Sequence, residues 1–223
     1  MNNQKSIFTL LFFCLALSGF AQDDGDYVEF NDRNNVVHGV YLGFSMRYGE
    51  IDDQETYTGG FKVAYVANQQ FEIGFSGNFI YSDQDYFNTA AGRREDLIGG
   101  YGGLHLEPIF FSKSRVNLSF PLLIGAGAIG QIGNNFNNED FEEEFNEEDF
   151  DAVFVAEPGV SALFNINRYL QIEAGVKYRL SSKIDLENSP VTRINGFSGG
   201  IGVKVGVFNL GRNRYKKKLQ DEE

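Results

Sequence analysis

The sequence predicts an all-β chain folded as an eight-stranded antiparallel up-and-down barrel of the transmembrane kind. Three observations lead there. Eight stretches alternate apolar and polar residues, with no amphipathic helical pattern between them. Their connections alternate between long and short, as tight turns at one barrel end and larger loops at the other require. The polar faces are rich in glycine and the apolar faces in large rings, in a chain with 26 glycines and 15% aromatic residues. A sheet around an oily core needs the reverse, because strand glycine packs nothing and a narrow lumen has no room for rings.

Ahead of the strands, residues 1–21 read as an export signal. Lys5 supplies the positive start, "IFTLLFFCLALSGF" is an apolar run too short for a comfortable helical span, and Gly19 and Ala21 precede a cut before Gln22. The single cysteine, Cys14, falls inside this segment, so the trimmed chain has no thiol chemistry. A lipidated Cys14 is the alternative, opposed by Phe12 and Phe13 where small residues are usual. Residues 22–35 form a polar, acidic lead-in without period, expected to be disordered.

The expected strands lie near 36–48, 57–67, 71–82, 96–110, 116–131, 153–165, 169–181 and 196–208, and together make the barrel domain 36–208. In the first, Val40, Leu42, Phe44, Met46 and Tyr48 oppose Gly39, Tyr41, Gly43, Ser45 and Arg47. In the third, Phe71, Ile73, Phe75, Phe79 and Tyr81 oppose Glu72, Gly74, Ser76 and Asn78. The fourth places Leu104 and Leu106 outward, His105 and Glu107 inward. Its glycine pairs at 99–100 and 102–103 suggest a bulge that leaves the side of Tyr101 open. Pro108, Pro121 and Pro158 are expected at strand ends or bulges. In the seventh, Ile172, Val176 and Leu180 oppose Glu173, Lys177 and Arg179. In the last, Ile201, Val203, Val205 and Val207 oppose Gly200, Gly202, Lys204 and Gly206.

The connections 68–70, 111–115 and 165–168 are short, whereas 49–56, 83–95, 132–152 and 182–195 are expected to be long outer loops. An even strand count puts both termini on the periplasmic side. Tyr65, Phe71, Phe110, Phe164, Tyr169 and Phe208 fall near the short turns, and Tyr48, Tyr81, Phe154 and Phe197 near the long loops, as two interfacial girdles would.

Energetics fix which face looks inward. A Lys or Arg facing hydrocarbon costs roughly 2–4 kcal/mol at mid-depth. Strand parity therefore places Arg47, Lys62, Lys177, Arg179 and Lys204 inside, together with Glu72, Glu107, Glu157, Glu173 and His105, as one polar network of nearly balanced charge. A secreted lipocalin-like carrier is a further competitor, opposed because it needs an inward apolar face, a C-terminal helix and usually an early tryptophan, and this chain has no tryptophan.

The export signal, the eight strands and the final "FSGGIGVKVGVF" together resemble the small porin-like outer-membrane β-barrel proteins of Gram-negative bacteria, the OmpA and OmpX type. The resemblance spans residues 36–208. It implies residence in the cell outer membrane, contact with its lipid and lipopolysaccharide, and insertion by the barrel-assembly machinery. That machinery would read the last strand, where Val203, Val205, Val207 and Phe208 match the pattern. The chain departs from the pattern by running on to Glu223, in a basic-then-acidic tail, 209–223, expected in the periplasm.

Chemistry has little to work with. No phosphate-loop, dinucleotide or zinc spacing appears, so no cofactor is expected. A formal net charge of -12 argues against nucleic acid as a partner. His105 and Glu107 could act as base and orienter, but no nucleophile motif accompanies them, and no catalytic residue is assigned. The segment "NNFNNEDFEEEFNEEDFD", 134–151, is the strongest local oddity. It can be a solvated loop, a docking site for a surface partner within loop 132–152, or a weak divalent-cation site. Glu142, Glu143, Glu144, Glu147, Glu148 and Asp149 are the candidate ligands for such a site. The functional expectation is a non-enzymatic barrel with a filled interior, serving membrane integrity, adhesion or partner binding through its outer loops. A narrow solute channel and a lipid-modifying enzyme are the alternatives.

Overall fold

The structure, a computed structural model, describes residues 38–88, 93–112, 114–133, 150–186 and 189–210. All belong to one compact unit, 35–223. Nine antiparallel strands form it: β1 His38–Ile51, β2 Gln54–Ala67, β3 Phe71–Asn88, β4 Arg93–Phe110, β5 Val116–Ser119, β6 Leu122–Gly133, β7 Phe150–Asn165, β8 Leu170–Ser181 and β9 Gly196–Leu210. Along the ring each stave pairs with the next, and β9 pairs back onto β1 (Phe44 with Val203, Met46 with Ile201), which closes it. Closure leaves no unpaired edge.

Nine strands make eight staves. Both β5 and β6 lie between β4 and β7. Ser119 pairs with Ser161 and Leu122 with Pro158, so the register passes through the interruption at Phe120–Pro121 without a slip. The expected single strand is nicked because Pro121 has no N–H for the ladder. The Pro121 carbonyl still accepts from Gly159 N at 2.8 Å, and Phe120 N donates to Pro108 O at 3.1 Å. Pro158 coincides with a lapse in the β7–β8 ladder, between the pairs Ala156–Leu180 and Gly159–Lys177. Pro108 instead sits in a paired position opposite Phe71.

Two connections expected to be long are short. β1 and β2 run on to a two-residue turn, Asp52–Asp53, with φ of 52° and 63°, the left-handed pair that a tight hairpin needs. β3 and β4 run on to Asn88 and from Arg93, with a register shift between Ser82 and Tyr86. The outer face turns polar past the apolar belt, at Glu50, Glu55 and Asp83, so alternation fades there while the ladder continues. The turn at 68–70 is tight as expected, and again uses two positive φ values, at Asn68 and Gln69.

The exterior is apolar on stave after stave: Phe44 is 64% exposed, Phe75 71%, Phe154 71% and Ile201 68%. A continuous belt of this size is stable only against lipid. The inward positions carry glycine, serine and charge. At Gly127 an added Cβ would stand 2.0 Å from the Gly100 carbonyl oxygen, inside any allowed contact. Gly127→Val should lower unfolding stability by about 1–3 kcal/mol, the usual cost of overpacking, read from the urea midpoint of the refolded protein.

The ring has two ends. The near end carries His38, the turn 68–70, the connection 111–115 and Phe208. The far end carries the Asp52–Asp53 turn and the segment 182–195. Phe208 departs from its expected place in the outer girdle. It is buried, and its ring stacks on Tyr41 at 5.5 Å, inside the near end. The girdle aromatics Tyr65, Phe71, Phe110, Phe164, Tyr169, Tyr48, Phe154 and Phe197 are exposed.

The described parts of the connection 182–195, residues 182–186 and 189–195, are not a free outer loop. Ile184, Leu186, Val191 and Ile194 are buried in one apolar cluster with Ile51, Ile80, Leu97, Ile129, Val153 and Val155, which point inward near the far end. Hydrogen bonds hold the segment there: Ile184 N donates to the Thr192 carbonyl at 3.0 Å, and Ile194 N to the Ser181 hydroxyl oxygen at 3.0 Å. The sequence expectation of glycine and ion pairs lining the whole lumen is therefore corrected for this part, which is lined by aliphatic side chains and stopped by a folded plug.

Candidate functional site in the barrel lumen

Alternation delivers the inward side chains, and closure brings residues far apart in sequence into contact. Arg47, Lys62, Glu72, His105, Glu107, Glu157, Glu173, Lys177, Arg179 and Lys204 all project inward and are buried, Lys204 at 1% exposure and Arg179 at 0%. They fall into two tiers.

The near-end tier is built on Lys204 of β9. Its Nζ lies 2.9 and 3.1 Å from the carboxylate oxygens of Glu72, 3.2 Å from those of Glu107, and 3.7 Å from Glu173 Oε2. Lys62 Nζ donates to Glu173 at 2.6 Å and Glu107 at 3.2 Å. Ser119 Oγ donates to Glu107 Oε1 at 2.7 Å, His105 Nε2 meets Glu107 Oε2 at 2.9 Å, and the Tyr41 hydroxyl donates to Glu72. Each carboxylate is thus hydrogen-bonded as well as paired, the condition under which buried charge is tolerable.

The middle tier centres on Glu157. It accepts from the Tyr101 hydroxyl at 2.9 Å and lies 3.6 Å from Arg47 Nη2, which also donates to Asn78 Oδ1 at 2.8 Å. Arg179 donates its Nε to the Ile194 carbonyl at 2.9 Å, tying this tier to the plug. Tyr101, whose side was open, faces inward. Tyr41, Asn78, Tyr101, Ser119 and Ser161 complete the network. Their inward parity is readable from the sequence, but nothing there marks them as bonding partners.

Glu72, His105 and Glu107 offer ligand atoms within 4.8 Å of one another, a spacing that can hold a metal ion. The Lys204 ammonium already occupies that role against the same oxygens, so the donor set does not fit a divalent ion. Nor does His105 reach lipid, since it lies on the lumen side of the wall. At the near end, a cup of about 260 Å³ opens among Gln69, Asn117, Asn165, Gln171, Arg168 and Phe208. Glu142, Glu143, Glu144, Glu147, Glu148 and Asp149 lie outside the described residues.

No family model matches the chain, and no curated protein matches it. Solved structures do. Neisserial surface protein A superposes with a TM-score of 0.54 at 10% identity, over 75% of this chain and 96% of that one. A major outer membrane protein from Thermus thermophilus gives 0.45 at 13% identity, over 77% and 99%. Ail of Yersinia pestis, crystallised with the heparin analogue sucrose octasulfate, gives 0.43 at 15%, over 77% and 98%. At these identities the likeness is one of fold, and it is carried by the first.

Proposed function

Given a chain with the fold of the eight-stranded outer-membrane barrels, we propose that it is a non-enzymatic, non-conducting barrel of the outer membrane. Its far-end connections face the cell exterior and its termini the periplasm. It serves membrane integrity, adhesion or partner binding at the surface. One observation carries this reading: the lumen is obstructed twice, by the ion-paired tiers and by the apolar plug of Ile184, Leu186, Val191 and Ile194. A solute would have to part buried ion pairs and unseat Ile184, Leu186, Val191 and Ile194.

Planar-bilayer recording tests it. The refolded protein should show no steady unitary steps, and reproducible steps would replace this reading with that of a narrow solute channel. The lipid-modifying alternative has His105 and Glu107 on the wrong side of the wall. Incubation with lipid A should accordingly leave its mass unchanged. The acidic segment 134–151 supports a role at the surface, where divalent cations bridge lipopolysaccharide phosphates. Calorimetric titration of calcium into the folded barrel should give saturable heat if the segment shares those ions.

A further inference from the structure

The lumen's charges do not balance tier by tier. Near the turns, Lys62 and Lys204 face Glu72, Glu107 and Glu173. In the middle tier Arg47, Lys177 and Arg179 face one carboxylate, Glu157. Between the near-end cup and the apolar cluster, His105 apart, five cations therefore meet four carboxylates, and the excess sits in the middle tier.

The hydrogen bonding is incomplete in the same place. Among the described residues, five buried side-chain polar atoms have no protein partner. Four of them, Arg47 Nε, Arg179 Nη1 and Nη2, and Ser198 Oγ, belong to this tier and can donate, and of these three residues Arg47 lines the cavity between the staves. Lys177 is buried with no carboxylate in contact among the described residues, beside Ser198 across the β8–β9 ladder. A small cavity of about 10 Å³ lies between Arg47 and Lys177, walled by Ser45, Ser161, Gly175 and Gly200. Glu173 borders it, but its carboxylate is held by Lys62 at 2.6 Å. Glycine keeps the wall thin: a Cβ on Gly200 would meet Arg47 Cγ at 2.7 Å, and one on Gly175 would meet Ser161 Oγ at 2.3 Å.

An uncompensated buried cation and buried N–H groups without acceptors are both costly. Water offers lone pairs but no charge. A small anion offers both, and one monovalent anion makes the count five against five. We propose that Arg47 and Lys177 bind a single small monovalent anion in this cavity, a halide such as chloride, which balances the charge of this stretch of the lumen. The site stands whether or not the barrel conducts and whatever its far end binds.

The test is urea unfolding of the refolded full chain in non-ionic detergent, with sodium gluconate exchanged for sodium chloride or bromide at constant ionic strength. Gluconate is too large for the cavity. Once chloride exceeds its dissociation constant, each tenfold rise should lower the wild-type unfolding constant about tenfold, with bromide acting alike. Lys177→Met and Arg47→Gln should flatten that dependence, and Lys177→Met in gluconate should be no less stable than wild type. Crystals of the wild-type protein soaked in bromide should show an anomalous peak between Arg47 and Lys177, which decides the matter even if neither variant refolds. Equal wild-type midpoints in gluconate and chloride would mean that the cavity holds water alone, and would overturn the proposal. So would a halide dependence that survives in both variants, or a soaked crystal without the peak.

Discussion

Replacing Lys204 with methionine should destabilise the folded barrel by about 3–5 kcal/mol, the usual result of removing one partner of a buried ion pair. The loss belongs at the upper end because Lys204 serves two carboxylates at 2.9–3.2 Å and a third at 3.7 Å. Methionine fills much of the same volume, so the loss reads charge and hydrogen bonds rather than a cavity. Glu72 and Glu107 would be left beside Lys62 alone, 3.2 Å from Glu107. The check is the urea midpoint in detergent or vesicles, with Lys204→Met/Glu72→Gln as the partner variant. The double variant should recover part of the loss, since it removes one of the stranded charges. A loss under about 1 kcal/mol for the single variant would mean that the tier behaves as a wet, screened lumen.

Phe44→Arg carries the second large effect. Phe44 stands mid-strand on β1, 64% exposed, opposite Phe61 and Val203 on its neighbours. In a lipid vesicle the arginine should cost about 2–4 kcal/mol, because the guanidinium must shed water or drag it into hydrocarbon. Phe44→Leu should leave stability close to wild type. On a water-facing surface the arginine would be nearly neutral, so the contrast between the two variants reads the environment directly. Equal midpoints for both would show that this face does not meet hydrocarbon.

Much of this architecture is legible in the sequence where each stave meets two unlike surroundings. Between Leu170 and Leu180, every second residue is oily and every other one is charged, amide or glycine, and no alternative register satisfies both faces. The same parity assigns Glu173, Lys177 and Arg179 to one face but says nothing of their partners. Lys62 meets Glu173 across 111 positions of sequence, and Lys204 meets Glu72 across 132. Such pairings follow from closure and stagger, which single strands do not encode. Legibility fades where the two surroundings become alike. Beyond the belt the outer face turns polar and its contrast with the lumen is lost, so the hairpin at Asp52–Asp53 reads as an open loop. In 182–195 the apolar residues serve a plug with no ladder, so they carry no strand signature. Phe208 reads as a girdle aromatic by composition but lies on the inward parity with Lys204 and Gly206, and the ring of Tyr41 receives it.

The position of Lys204 on the closing strand has a consequence for how the chain matures. Glu72 and Glu107 lie on β3 and β4, and the ring around them closes only when β9 is paired with both β8 and β1. Until then those acids need water, and a sheet of early staves alone has no dry interior to offer. Loss of hydration and arrival of the ammonium are thus one event, the closure of the ring. An intermediate lacking only β9 should stay open, hydrated and easily digested rather than nearly finished.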